Sequence, residues 1–310
     1  MTPRVTVLMP VHNAADYVEA AIGSVLRQTY RDLELLVVDD GSTDRTEAVV
    51  ASITDPRLRV LHRPRAGIVA SLNAGLDEAR GELLARMDAD DVMGPERLAR
   101  QVAYLDRNPE VVACGTDYEL FGAMSGRVRM PRTPAACRAR LLFGTCIAHS
   151  SAAIRLAALR SAGIRYRPEY GYAEDYRLFT ELSQHGDLAN LPYVGLRYRV
   201  ADGQVSATRL AEQRATTLRI MRENLAGCGV STVDDGTLAR MIWLDGRGVG
   251  AAWTYLYREA PHLFGVAARA AGLHGARTAV RLIRERLNTA LRPRRRTQPA
   301  TQPVGVGNAR

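Results

Sequence analysis

The sequence predicts an α/β protein, with a mainly parallel sheet flanked by helices and a helical C-terminal extension. Three observations lead there. Short runs rich in Val and Leu end in turn-forming or polar residues, as buried parallel strands do. Between them lie segments whose apolar residues recur at helical spacing. The two kinds of segment alternate up to about residue 115, the pattern of strand–helix–strand units with right-handed crossovers.

The elements follow in order. "RVTVLM" (4–9) is the first strand, and "AADYVEAAIGSVLRQ" sets Val18, Ile22, Val25 and Leu26 on one helical face. "LELLVVDD" (33–40) is the second strand. "TDRTEAVVASI" follows as a helix, with Asp44 and Glu47 spaced as a capping box. Then come "RLRVLH" as strand, "GIVASLNAGLDEA" as helix, "LLARMD" as strand, "PERLARQVAYLD" as helix and "EVVACG" as strand. The pattern is least regular from 115 to 172. Residues 206–292 read as further helices, and the last of them has an apolar stripe (Leu273, Val280, Ile283, Leu287, Leu291) and a basic one (Arg277, Arg281, Arg284). Such a helix either docks on an anionic membrane surface or packs on the α/β domain with its arginines solvated. Residues 293–310, "PRRRTQPATQPVGVGNAR", have the composition of a disordered tail.

Composition excludes several functions. The 310 residues carry a net charge of +9, yet residues 258–296 hold ten Arg against Glu259 and Glu285, Arg310 adds one more, and the first 257 residues are neutral. A nucleic-acid enzyme usually brings positive charge to its catalytic region, so nucleic acid is not an expected partner. The chain has no lysine, which excludes Schiff-base chemistry and a P-loop lysine. Cys114, Cys137, Cys146 and Cys228 have no C-x-x-C spacing and read as reduced, mostly packed thiols. No apolar run approaches the ~20 residues that span a bilayer. "VTVLMPV" is too short, and too soon broken by Pro10 and His12, for a signal peptide. The expected location is the cytoplasm.

Three polar clusters fall where strands end: "MPVHN", "DDGSTD" and "DADD". In a parallel α/β sheet ligands bind beyond the carboxyl ends of the strands, so all three should open on one edge. In an extended backbone Asp88 and Asp90 point to the same side and Asp91 to the other. Such a pair stays wet, raises one pKa or binds a cation, and a hard divalent ion, Mg²⁺ or Mn²⁺, suits it. A helix cap needs one carboxylate, whereas this turn holds three. A calcium hand is excluded, because counting from Asp88 puts Met93 where its Gly belongs and Ala99 where its Glu belongs. The glycines of "GRGVGAAW" (246–253) make only a partial dinucleotide pattern and read as a loop.

"VTVLMPVHNAADYVEAAIGSVLRQTYRDLELLVVDDGSTD", "GIVASLNAGLDEARGELLARMDADD" and "YAEDYRLFTEL" resemble, in order and spacing, the successive motifs of family 2 glycosyltransferases of the GT-A fold, a Rossmann-like architecture. The resemblance covers about residues 3–200. It implies inverting transfer of a sugar from a nucleotide-sugar donor to an acceptor hydroxyl, usually with Mg²⁺ or Mn²⁺. It also implies a catalytic domain over 1–205, with a nucleotide-sugar part about 1–115 and an acceptor part about 116–205, before the helical region 206–292.

The same resemblance carries roles to single positions. Asp40 matches the acid that accepts a hydrogen bond from the nucleobase, which favours uracil or thymine, and Pro10 and His12 match loop positions that flank the base. Gly67 and Asn73 match positions beside the nucleotide. Asp88 matches a ribose or donor-sugar contact and a metal ligand, Asp90 the metal ligand that meets the diphosphate, and His149 in "CIAHSSAAIR" a further metal or diphosphate contact. Asp175 matches the base that deprotonates the acceptor, with Glu174 as a positioning or sugar-binding group. Neighbours on a helix lie about 100° apart, so only one of this pair faces the acceptor. Acceptors of such enzymes are often glycans or lipid-linked glycans, which tilts the basic helix towards the inner face of the plasma membrane. Two other readings remain: a sugar-nucleotide nucleotidyltransferase, against which "MPVHNAADY" lacks the basic, glycine-rich loop, and a non-catalytic nucleotide-sugar-binding member.

Overall fold

A computed structural model describes residues 2–201, 209–230, 233–234 and 236–238. Strand β1 (Val5–Val11), helix α1 (Val18–Leu26), β2 (Leu33–Asp40), α2 (Thr46–Ala51), β3 (Leu58–Arg63), α3 (Ile68–Glu78) and β4 (Leu83–Arg86) form the first half. There follow β5 (Val92–Met93), α4 (Arg97–Arg107), β6 (Val111–Gly122), β7 (Gly126–Val128), α5 (Pro134–Leu141), β8 (Ala153–Arg155), α6 (Leu156–Ser161), α7 (Glu174–Leu182), β9 (Asp187–Val200) and α8 (Leu210–Gly227). The strands make one nine-stranded sheet in the order β3-β2-β1-β4-β8-β6-β9-β5, with β7 beside β6.

The first four strands are parallel and in close register: Leu8 stands level with Leu36 on one side and Arg86 on the other. Every residue of β1, β2 and β4 is buried, as expected of a sheet covered on both faces. Alternate residues supply two cores. Leu8, Leu36, Val38 and Leu84 pack on one face with Leu72 and Leu76 of α3 and with Phe179 and Leu182 of α7. Val7, Met9, Leu35, Val37 and Ala85 pack on the other with Val18, Ile22 and Val25 of α1 and Leu98, Val102 and Leu105 of α4. Ile220, Met221 and Leu225 of α8 belong to the first of these cores.

The sheet is less parallel than the sequence pattern predicts. Strand β8 is antiparallel to both β4 and β6. It therefore starts at the edge where β4 ends and brings the 3₁₀ turn His149–Ser151 there. There is also no capping box at α2. The Asp44 carboxylate accepts from Thr46 N at 2.9 Å and from Ala15 N at 3.2 Å, which ties the loop after β2 to the loop after β1. Of the predicted C-terminal helices, the first is α8; most of the second, the later ones, the loop 246–253, the amphipathic stripe and the tail lie outside the described residues. No helix of the described residues is long and apolar enough to cross a membrane.

Gly81 joins α3 to β4 where the chain grazes β1. A Cβ there would stand 2.5 Å from Thr6 N and 2.9 Å from Val5 C, backbone atoms of a central strand. Gly81→Ala is expected to destabilise the protein by about 2 kcal/mol or more, by the cost of overpacking, and to lower the midpoint of chemical denaturation. An unchanged midpoint would show that β1 yields.

Candidate active site

The loops after β1 and β2 are stapled together. Thr43 N donates to Asn13 Oδ1 at 2.8 Å, Asn13 N to Ser42 Oγ at 3.0 Å and Ala14 N to Thr46 Oγ1 at 2.8 Å. His12 lies with Nδ1 3.0 Å from the Asp40 carbonyl, and Pro10 is buried within β1. Asp40 is itself buried, and its two carboxylate oxygens accept from Ala66 N and Gly67 N at 2.8 and 2.9 Å. It thus fixes the start of α3. Gly67 has φ +90°, and a Cβ built on it meets nothing within 4 Å, so glycine serves backbone conformation there and not room.

Asn73 bonds the backbone of Tyr166 through both ends of its amide. Its Nδ2 donates to Tyr166 O at 2.8 Å and its Oδ1 accepts from Tyr166 N at 3.0 Å. The amide thereby holds the loop that leads to α7.

At the end of β4 the chain stops being extended. Residues 88–91 form a turn, and the ligand oxygens of Asp88, Asp90 and Asp91 all lie within 4.8 Å of one another. The expectation that Asp91 faces away fails because side-chain alternation holds only while the strand lasts. Asp91 is 1 % exposed. Burial, with the charges of Asp88 and Asp90, pushes its pKa up to about 8, against the help of Arg199 N, which donates to Oδ1 at 2.8 Å.

Sequence reasoning missed the cations around this turn. Arg86, 3 % exposed, pairs with Asp88. Burial, the largest single influence, opposes its charge, but Asp88, Tyr166 and Asp91 together outweigh it and its pKa is raised. An isolated charge inside the apolar run "LLARMD" was the available signal. Arg97 is fully buried, and its guanidinium donates to the carbonyls of Ser150 (2.7 Å), Arg86 (2.8 Å) and Ala152 (3.1 Å) and to Gln101 Oε1 (3.0 Å). Burial lowers its pKa to about 9, so it stays charged at neutral pH. Arg199 Nε donates to the Asp90 carbonyl at 2.8 Å, and Asp88 N donates to Ser150 Oγ at 2.9 Å.

The Glu174–Asp175 pair opens α7. Burial and then the Glu174 charge push Asp175 up to about 7, although Tyr176 N donates to its Oδ1 at 2.7 Å. Glu174 is raised as well, chiefly by burial, and its Oε2 has no hydrogen-bond partner. Arg86 acts on both acids as a favourable charge, so the β4 turn and the start of α7 share one electrostatic site. His149 stands apart from the three carboxylates as a metal group. Its Nε2 lies 2.8 Å from the Tyr166 hydroxyl, and burial, then Arg86, pushes its pKa well below 6.5, which keeps it neutral.

The geometry defines a carboxylate-rich crevice at the strand ends of an α/β sheet, and comparisons with known proteins agree. The profile of Glycosyl transferase family 2 matches residues 6–156. An uncharacterized glycosyltransferase of Haemophilus influenzae is 33 % identical over 264 residues, which cover 78 % of this chain and 81 % of that one. The succinoglycan biosynthesis protein ExoO of Rhizobium meliloti is 32 % identical over 218 residues, 66 % of this chain and 63 % of its own length. Among solved structures, S. aureus TarS 1-349 with UDP-GlcNAc superposes with a TM-score of 0.62 at 15 % identity, covering 86 % of this chain and 81 % of that one. The mannosyltransferase PcManGT of Pyrobaculum calidifontis, with GDP-Man and Mn²⁺, gives a TM-score of 0.57 at 23 % identity, covering 94 % and 81 %. The chain belongs to glycosyltransferase family 2 and has the GT-A fold.

A carboxyl group whose pKa is raised by folding holds its proton more tightly in the folded state, so stability falls as pH rises between the unfolded and folded values. For Asp91 that window runs from about 4 to about 8. The melting temperature of the metal-free protein is expected to drop from pH 5 to pH 8, and to drop less in Asp91→Asn. Equal pH dependence in both proteins would refute the assignment.

Proposed function

We propose that the protein moves a sugar, with inversion, from a UDP- or dTDP-sugar to an acceptor hydroxyl in polysaccharide or glycolipid synthesis. The observation that carries this reading is the shared site: Arg86 touches Asp88 and acts on Glu174 and Asp175, so the donor and acceptor halves of a transfer site meet across one buried cation.

In this reading the stapled loops after β1 and β2 hold the nucleoside. Each Asp40 oxygen has one backbone donor and keeps a second lone-pair direction for a pyrimidine N–H. Pro10 and His12 flank the base, and Gly67, through its positive φ, turns the chain past the nucleotide. Asp88 and Asp90, with Asp91 beside them, fit Mg²⁺ or Mn²⁺, since such ions take one or two carboxylates and complete their shells with phosphate and water. The bound ion would supply Lewis-acid stabilisation of the leaving diphosphate. Asp175 takes the acceptor proton, and a pKa near 7 matches a general base to neutral pH. Glu174, with its unpartnered oxygen, binds a sugar hydroxyl. The basic C-terminal region would hold the enzyme on an anionic membrane where lipid-linked glycans reside. ExoO, whose name places it in succinoglycan biosynthesis, supports the polysaccharide setting.

Calorimetric titration with UDP, dTDP and GDP, each with Mn²⁺ and with EDTA, tests the donor half. One pyrimidine diphosphate should bind only with metal and fail to bind Asp90→Ala. Binding indifferent to both metal and Asp90 would sink the assignment. With the donor so chosen, kcat/KM should fall about tenfold per pH unit below pH 7, as loss of an essential base requires. Asp175→Asn should lose about a hundredfold or more. A flat profile from pH 5 to 8 would remove Asp175 as the base.

A further inference from the structure

The residue before the cap of α7 is held in an unusual conformation from outside the helix. Tyr172 has φ +66°, and Asn13 is the only other non-glycine with positive φ among the described residues. An L-residue adopts this left-handed region only against steric cost, and Tyr gains no local hydrogen bond from its side chain to offset it. The Tyr172 carbonyl accepts from Gln213 Nε2 of α8 at 3.0 Å, while its N–H acts on the Glu174 carboxylate. Ala173, the N-cap of α7, has no side-chain cap bond, so the direction of the first turn depends on the backbone that leads into it.

Helix α8 is firmly placed to do this. Arg177 of α7 pairs with Glu223 at 2.8 Å, and Tyr170 donates its hydroxyl hydrogen to the same carboxylate at 2.9 Å. Arg177 and Arg219 lie 4.9 and 4.4 Å from the Tyr170 ring centre. Asn224 Nδ2 donates to Leu141 O at 2.7 Å and reaches the hydroxyls of Tyr176 and Thr180 at 3.2 and 3.3 Å.

We propose that Gln213 is a positioning residue for the transfer reaction: it clamps the Tyr172 carbonyl, keeps that residue left-handed, and so sets the direction in which Glu174 and Asp175 meet the site. The inference rests on the reading of Asp175 as the base. It makes α8, which lies beyond the residues matched by the family profile, a working part of the catalytic unit.

The full chain tests this with the donor selected above, in wild type, Gln213→Leu, Gln213→Leu with Tyr172→Gly, and Asp175→Asn. Gln213→Leu should lower kcat about tenfold, within the range that small misplacements cost, and leave KM for the donor and calorimetric binding of UDP with Mn²⁺ unchanged. Tyr172→Gly should restore several-fold of that loss, because glycine takes positive φ without steric cost. An unchanged kcat in Gln213→Leu, beside an inactive Asp175→Asn, overturns the clamp alone. An active Asp175→Asn overturns the base reading and the clamp with it. A crystal structure of Gln213→Leu gives a readout without substrate: Tyr172 should leave the left-handed region, and a φ still near +66° overturns the proposal.

Discussion

Three carboxylates crowded at the end of a buried strand repel one another, and much of the molecule is arranged around that repulsion. Arg86 enters from within β4 itself and pairs with Asp88. Arg199 approaches from β9 and braces Asp90 and Asp91 through backbone groups. Arg97 adds a buried charge with no carboxylate partner among the described residues; its fork spans the carbonyls of β4 and of the His149–Ser151 turn, tying the two together. A planar guanidinium with five donors can do this, and a lysine cannot.

The antiparallel strand β8 is what makes the crevice two-sided. A purely parallel sheet would set a further crossover helix beside β4. Here the chain arrives from the other direction, and the turn before β8 lands against Asp88. Behind that turn, His149, Tyr166 and Asn73 form a hydrogen-bonded chain that reaches α3, so the loop before α7 is fixed to the helix that follows β3.

How far this was legible in the sequence depended on range. Strands β1 to β4 and helices α1 to α4 were readable because each is specified by local alternation of apolar runs, and the motif positions followed from strand polarity. The carboxylates were visible as composition. What joins them was not. Asp91 needed the turn geometry at 88–91, Asn73 needed a partner 93 residues away, and β8 has too few residues to show a period. The pairing of Tyr172 with Gln213 spans 41 residues and leaves no trace in either local pattern. Arg86 is the exception: a lone charge in a buried strand is a local signal with a long-range cause.

The absence of lysine has a consequence for how this protein titrates. Its side-chain cations are all arginines apart from six histidines, and arginine stays protonated throughout the neutral range. The arginine part of the positive charge is therefore constant while the solution pH moves across neutrality. Against it, Asp91 near 8 and Asp175 near 7 are the carboxyl groups that change charge there, and His149 is held neutral. Lysine too stays charged near pH 7, so the difference appears above it: a lysine-rich homologue sheds positive charge around pH 10, whereas the arginines of this chain keep theirs and its net charge falls there only as tyrosines and cysteines ionise.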